Sequence, residues 1–173
     1  MTGQAPVIPA PMPLINMADL RAGLQRNQRL IGLDPGTKTI GVALTDVALL
    51  LATPTHPIPR TKLAQVAAQI TALATKEGAG GLVVGHPLSM DGTAGPAAQA
   101  ARDWALALSA ATNLPAALWD ERLSTAAVTR HLIADLDLTR RKRAALVDGM
   151  AAAYTLQAAL DATRPLPDHP QTR

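Results

Sequence analysis

The chain has 173 residues, 48% of them hydrophobic, with no Cys, no Phe, one Tyr and two Trp. That length suits one domain whose core is built from Ala, Leu, Val and Ile. Without Cys the chain has neither disulfides nor thiolate zinc sites, which is compatible with a reducing cytoplasm. The formal net charge of +3 favours a polyanionic partner, mildly. No basic segment followed by an apolar stretch opens the chain, and its longest apolar run, residues 47–52, is far too short to span a bilayer.

Residues 1–28 read as an N-terminal extension. Pro6, Pro9, Pro11 and Pro13 remove backbone donors and break helices, so disorder is expected over 1–13, followed by a short amphipathic helix over 18–26. Residues 29–34 and 39–45 form a hairpin around Pro35-Gly36-Thr37-Lys38. Residues 49–57 supply a third strand, which their prolines confine to an edge or an end. Leu63, Val66, Ile70 and Leu73 recur at helical spacing, and Gly78 stops that helix.

Gly81-Leu82-Val83-Val84-Gly85 is a short buried strand. A helix follows over 96–112 with Ala97, Ala101, Trp104 and Leu108 on one face. Residues 114–119 form another strand, running into Asp120-Glu121-Arg122. Ser124 then suits the N-cap of a helix to about residue 134, and a last helix runs over 141–162. Pro165, Pro167 and Pro170 mark a flexible tail over 165–173, leaving a compact domain over 29–164. The alternation argues for an α/β fold with a central mixed five-stranded sheet flanked by helices. Its first three strands are antiparallel and the later ones parallel to the first.

In open α/β sheets, ligands bind beyond the carboxyl ends of the strands. Asp34 ends the first strand, Gly85-His86-Pro87 the next parallel one, and Glu121 follows the last. Asp148 interrupts an otherwise apolar helix face. Singly, each acid has an ordinary reading: Asp34 as a turn residue bonding nearby amides, Glu121 as an ion-pair partner of Arg122 or Arg140, Asp148 as an exposed helix residue. Together they match the needs of hard divalent cations, which take oxygen ligands and bridge to phosphate. Two such ions can hold the attacking and leaving oxygens of an in-line displacement.

Arg140-Arg141-Lys142-Arg143 enters the helix that carries Asp148. The helix dipole disfavours cations there, so phosphate contacts by Arg141 and Lys142 are a reason for them. Lys38 in the turn and Arg122 beside Glu121 are further phosphate contacts. So few aromatics argue against base-stacking platforms and for contacts to backbone and shape.

Four segments carry a resemblance. Asp34-Pro35-Gly36-Thr37-Lys38-Thr39-Ile40-Gly41-Val42-Ala43 resembles the opening motif of the YqgF/RuvX family of RNase H-like nucleases. Gly85-His86-Pro87-Leu88-Ser89-Met90-Asp91-Gly92-Thr93 resembles its second motif, Asp120-Glu121-Arg122-Leu123-Ser124-Thr125 its third, and Val147-Asp148 with the following Ala-rich helix its fourth. The resemblance implies an RNase H-like fold and a cytoplasmic, Mg²⁺- or Mn²⁺-dependent nuclease that processes the 5′ end of pre-16S rRNA, as a monomer or homodimer. It also implies that Asp34, Glu121 and Asp148 are the metal-binding catalytic acids, with Thr37 among the substrate contacts. His86 stands where the family usually has an apolar residue; it could reach a phosphate or simply mark drift at a strand end. Ala144, Ala145, Ala151 and Ala152 leave no fourth acid one turn from Asp148, unlike many junction resolvases of this superfold.

Three other readings share features of the chain. A DNA-junction endonuclease is the near relative, and a catalytically silent RNA-binding module would keep the fold without the cleavage. Sugar kinases and chaperone ATPases also open on an Asp-x-Gly-Thr hairpin, but they need a second lobe that a domain of this length lacks.

Overall fold

The computed structural model describes residues 12–124 and 139–167. The disorder expected at the extreme N-terminus and the helix expected after Ser124 concern residues 1–11 and 125–134, which lie outside the described residues, as do residues 168–173 of the tail.

The elements, in chain order, are helix α1 (Met17–Ala22), strands β1 (Arg29–Pro35), β2 (Thr39–Thr45), β3 (Ala52–Pro54) and β4 (Ile58–Pro59), helix α2 (Leu63–Glu77), strand β5 (Ala79–His86), helix α3 (Pro96–Thr112), strand β6 (Ala116–Asp120), a single 3₁₀ turn (Glu121–Leu123) and helix α4 (Arg140–Ala162). The sheet order is β3-β2-β1-β5-β6, with β4 also pairing β2. β2 is antiparallel to β1, whereas β5 and β6 run parallel to it and to each other. The mixed sheet expected from the sequence is therefore present, with six strands instead of five. The difference lies in the predicted third strand, which is two short strands, both paired with β2. Pro54, Pro57 and Pro59 lack the N–H that a continuous ladder needs.

Side-chain alternation divides the core into two layers. Ile31, Leu33, Ile40, Val42, Leu82 and Val84 face α2 and α3, where Val66, Ile70, Ala105 and Leu108 complete one cluster. Leu30, Ala43, Val83 and Ala117 face the opposite side, against Met17 and Leu20 of α1 and Ala152, Leu156 and Leu160 of α4. Each fully buried Leu or Ile contributes about 1.5–3 kcal/mol of transfer free energy.

In α3, Pro96 occupies the first turn and Asn113 closes the helix in the left-handed conformation. Its buried stripe is Ala98, Ala101, Ala105 and Leu108, so Ala97 lies outside the face expected for it. α1 is capped by the Asn16 side chain, which accepts from the Asp19 amide at 2.8 Å. It is tied to β6 through the Ile15 amide and the Ala116 carbonyl at 3.0 Å. The second half of the N-terminal extension is thus fastened to the domain.

α4 fixes the position of Asp148. It lies close on the sheet because the strands beneath it present glycine. A Cβ on Gly32 would sit 2.9 Å from the Leu156 Cβ, and one on Gly41 would sit 2.0 Å from the Asp148 carbonyl oxygen. Alanines along the helix, including Ala152, Ala153 and Ala159, keep that approach free of bulk.

Candidate active site

The same alternation that divides the core sorts the acids at the carboxyl edge of the sheet. Leu30 and Gly32 of β1 face α4, so Asp34, two residues further, faces α4 as well. Asp34 is buried, at 6% exposure, and sits opposite Gly41 in the β1–β2 ladder. The β1–β5 ladder runs to Leu33 and Val84, so Gly85 is the residue beside Asp34 on its other flank. Gly41 and Gly85 open the two strands that flank Asp34. The backbone of Asp148 lies over the first, and the carboxylate of Glu121 lies over the second, its Oε1 2.6 Å from where a Gly85 Cβ would stand. The Asp148 carboxylate oxygens are both 3.6 Å from the corresponding position on Gly36. Asp34, Glu121 and Asp148, from three separate segments, thus share one face at one sheet edge.

The Asp148 carboxylate also accepts from the hydroxyl of Thr39, the first residue of β2. Sequence reasoning passed over Thr39. The only signal for it was its place inside the first motif, where nothing distinguished it from a neutral strand opener. The turn between β1 and β2 is held from below by Arg60, whose guanidinium donates to the Gly36 carbonyl at 2.7 Å and whose amide donates to the Lys38 carbonyl at 2.9 Å. Arg60 lies over the Trp104 ring, 5.9 Å from its centroid. Thr37 and Lys38 are exposed on the tip of this turn. Arg141 and Lys142 are exposed in the first turn of α4, about two helical turns before Asp148. Thr39 and the Thr139 cap, which accepts from the Lys142 amide at 3.4 Å, therefore anchor opposite ends of the segment that presents Asp148.

Arg122 is held on the other side of the site. All three of its guanidinium nitrogens are engaged: Nε with both Asp120 oxygens at 3.0 Å, Nη2 with Asp120 Oδ2 at 2.6 Å, and Nη1 with the Met90 carbonyl at 3.3 Å. Its hydrogen bonds hold the Asp120 carboxyl below the usual carboxylate range, and Asp120 in turn raises the guanidinium. Arg122 therefore joins the end of β6 to the loop after β5. His86 pairs with Asp120 in the β5–β6 ladder. Its Nε2 is buried and makes no hydrogen bond, so that nitrogen does not face an incoming phosphate.

Carboxylate oxygens from three elements suit a hard cation that keeps part of its water shell and uses one or two carboxylates plus substrate oxygens. Among the described residues, however, no group of three or more His, Cys, Asp or Glu side chains is placed so that it could hold a metal ion by itself. A cation at this edge would therefore draw most of its ligands from water and phosphate oxygens. Among the described residues, no helix is long and apolar enough to cross a membrane.

The profile of the RuvX family, described as Holliday junction resolvase, matches residues 28–162. A protein of Gluconacetobacter diazotrophicus bearing the provisional name pre-16S rRNA nuclease is 62% identical over 152 residues, covering 88% of this chain and 99% of its own length. One of Gluconobacter oxydans with the same name is 58% identical over 154 residues, covering 89% and 96%. Among solved structures, T. thermophilus RuvC in complex with a Holliday junction substrate is similar in fold. Its TM-score is 0.50 at 18% identity, covering 80% of this chain and 99% of that one. With a family match over nearly the whole described domain and relatives near 60% identity, the chain belongs to the RuvX family.

Proposed function

We propose that this chain is a cytoplasmic nuclease that hydrolyses phosphodiester bonds with Mg²⁺ or Mn²⁺, two ions in the complete site, and that it processes the 5′ end of pre-16S rRNA. The observation that carries this reading is the gathering of Asp34, Glu121 and Asp148 on the α4-facing side of the sheet's carboxyl edge. Lys38 of the β1–β2 turn is exposed, as are Arg141 and Lys142 about two turns before Asp148 on α4. The names of the relatives supply the substrate.

In this reading the three acids hold the cations. When bound, the divalent ions supply positive charge that offsets the phosphodiester's and eases deprotonation of the attacking water. Asp34 is the fixed member, buried between two paired strands. Asp148 comes from α4, and the Thr39 hydroxyl orients its carboxylate. Glu121 reaches over Gly85 from the turn after β6. Thr37, Lys38, Arg141 and Lys142 bind phosphates of the nucleic-acid backbone, which fixes the strand's register without reading its sequence. Arg122 serves substrate indirectly, by bracing the loop after β5.

The family description favours a second reading, resolution of a DNA four-way junction. Parallel assays separate the two. We expect the protein to cut a pre-16S rRNA fragment carrying the unprocessed 5′ end, in Mg²⁺ or Mn²⁺, in preference to a four-way DNA junction. Junction cleavage with no cleavage of the RNA would favour the second reading, and binding without cleavage of either would favour a silent binding module.

A further inference from the structure

We propose that Met90 is an apolar wedge that inserts against a base step beside the scissile phosphate and unstacks it. This rests on the nuclease reading and names how that site takes its substrate. Met90 is 91% exposed, yet it stands on a tightly built tip, not on a loose tail. The Ser89 amide donates to the Thr93 carbonyl at 3.0 Å and the Gly92 amide to the Ser89 carbonyl at 2.8 Å. Asp91 Oδ1 accepts from both the amide and the hydroxyl of Thr93, at 2.9 and 2.7 Å. Gly92 takes a φ of +87°, a conformation open to glycine at little cost.

The tip is also tied to the acid edge. Arg122 donates to Met90's own carbonyl while its other nitrogens grip Asp120. Asp120 immediately precedes Glu121, the acid lying over Gly85. One guanidinium therefore joins the backbone of the tip that carries Met90 to the end of β6, next to Glu121. Leu123, which follows Arg122 in the chain, is 63% exposed.

Chemistry decides what such a tip meets. Apolar side chains, Met among them, insert between base steps and kink or unstack them, and the polarizable thioether packs well on aromatic faces. Of the two tryptophans, Trp104 lies beneath Arg60 and Trp119 packs against the α4-side core. A structured RNA held by its phosphates would need one local unstacking to place a single strand across the acids.

The test is a fluorescence titration of the full chain with RNA hairpins in which 2-aminopurine is walked through successive positions at a duplex–single-strand junction, and with their DNA counterparts. It is run without added divalent ions so that binding is read apart from cleavage. Wild type should raise the fluorescence severalfold at one or two adjacent positions. Met90→Ala should lose that rise while Kd changes by less than tenfold and the melting temperature stays the same, and Met90→Leu should retain it. In the cleavage assay Met90→Ala should raise KM more than it lowers kcat. A wild-type titration showing binding but no rise at any position, or an undiminished rise with Met90→Ala, would overturn the wedge and leave the nuclease reading standing. Absence of binding to any of the RNA or DNA probes would overturn both.

Discussion

The hydroxyl of Thr39 donates to the carboxylate of Asp148, 109 residues away in sequence. This bond ties the opening of β2 to the helix that lies across it. Partners that orient a metal-binding carboxylate typically change metal affinity or activity by about 10- to 100-fold when removed. Thr39→Val should therefore weaken Mn²⁺ binding, read by calorimetry or electron paramagnetic resonance, by about tenfold, with little change in melting temperature. Thr39→Ser should restore it. Equal metal affinity in Thr39→Val and wild type would show that the hydroxyl does not orient Asp148.

Gly41 and Gly85 make room for the site in different ways, and the difference is testable. A Cβ on Gly41 would strike the Asp148 carbonyl, a backbone atom of α4, at 2.0 Å, so the helix must shift as a body. Gly41→Ala should cost about 3 kcal/mol of stability in urea unfolding, the upper part of the range for overpacking. A Cβ on Gly85 would meet the end of the Glu121 side chain at 2.6 Å, which can swing aside. Gly85→Ala should cost less than about 1 kcal/mol yet lower kcat about 100-fold by displacing Glu121 from its position. Equal losses of stability in the two variants would contradict this division.

Asp46 gives the fold a pH dependence away from the acid edge. Its Oδ1 accepts from the amides of Leu50 at 2.8 Å and Leu51 at 3.1 Å. The Leu50 bond is the main cause that holds its carboxyl below the usual range, with Leu51 and the charge of Arg29 adding to it. The carboxylate therefore binds its proton more weakly in the folded chain than in the unfolded one, whose value is near 3.9. Its contribution is fully present above that value and is lost as pH falls through the folded pKa. Asp46→Asn keeps an acceptor but removes the charge. At pH 7 it should be less stable than wild type, the gap narrowing as pH falls below the unfolded carboxyl value near 3.9. A constant gap from pH 7 to pH 2 in urea unfolding would rule this out.

Elements governed by local rules were legible in the sequence. α3 runs over the predicted residues because Pro96 and Asn113 are start and stop signals in themselves. α2 ends before Gly78, as its spacing required. Asp34 and Glu121 were readable because each stands at or beside the end of a strand whose direction the α/β alternation supplies, and Asp148 because it interrupts an otherwise apolar helix face. What stayed hidden depends on contacts between distant segments. Thr39 is unremarkable until α4 brings Asp148 to it. Arg122 was read as a phosphate contact from its place beside Glu121, and its engagement with Asp120 and the Met90 carbonyl could not be read from the sequence. The burial of Met17 and Leu20 could not be read from a proline-rich extension, since it depends on α1 packing beside α4.

The central claim is that three acids at one sheet edge hold divalent metal for phosphodiester hydrolysis. It is tested most directly by comparing wild type and Asp34→Asn for single-turnover cleavage of a pre-16S rRNA fragment, in Mg²⁺, in Mn²⁺ and in excess chelator. The change removes the charge of the buried acid and nearly preserves its shape. The expected result is cleavage by wild type only when metal is present, with cleavage by Asp34→Asn abolished in both metals while its RNA affinity stays within a few-fold of wild type. Cleavage by Asp34→Asn at the wild-type rate, or by wild type in chelator, would contradict it.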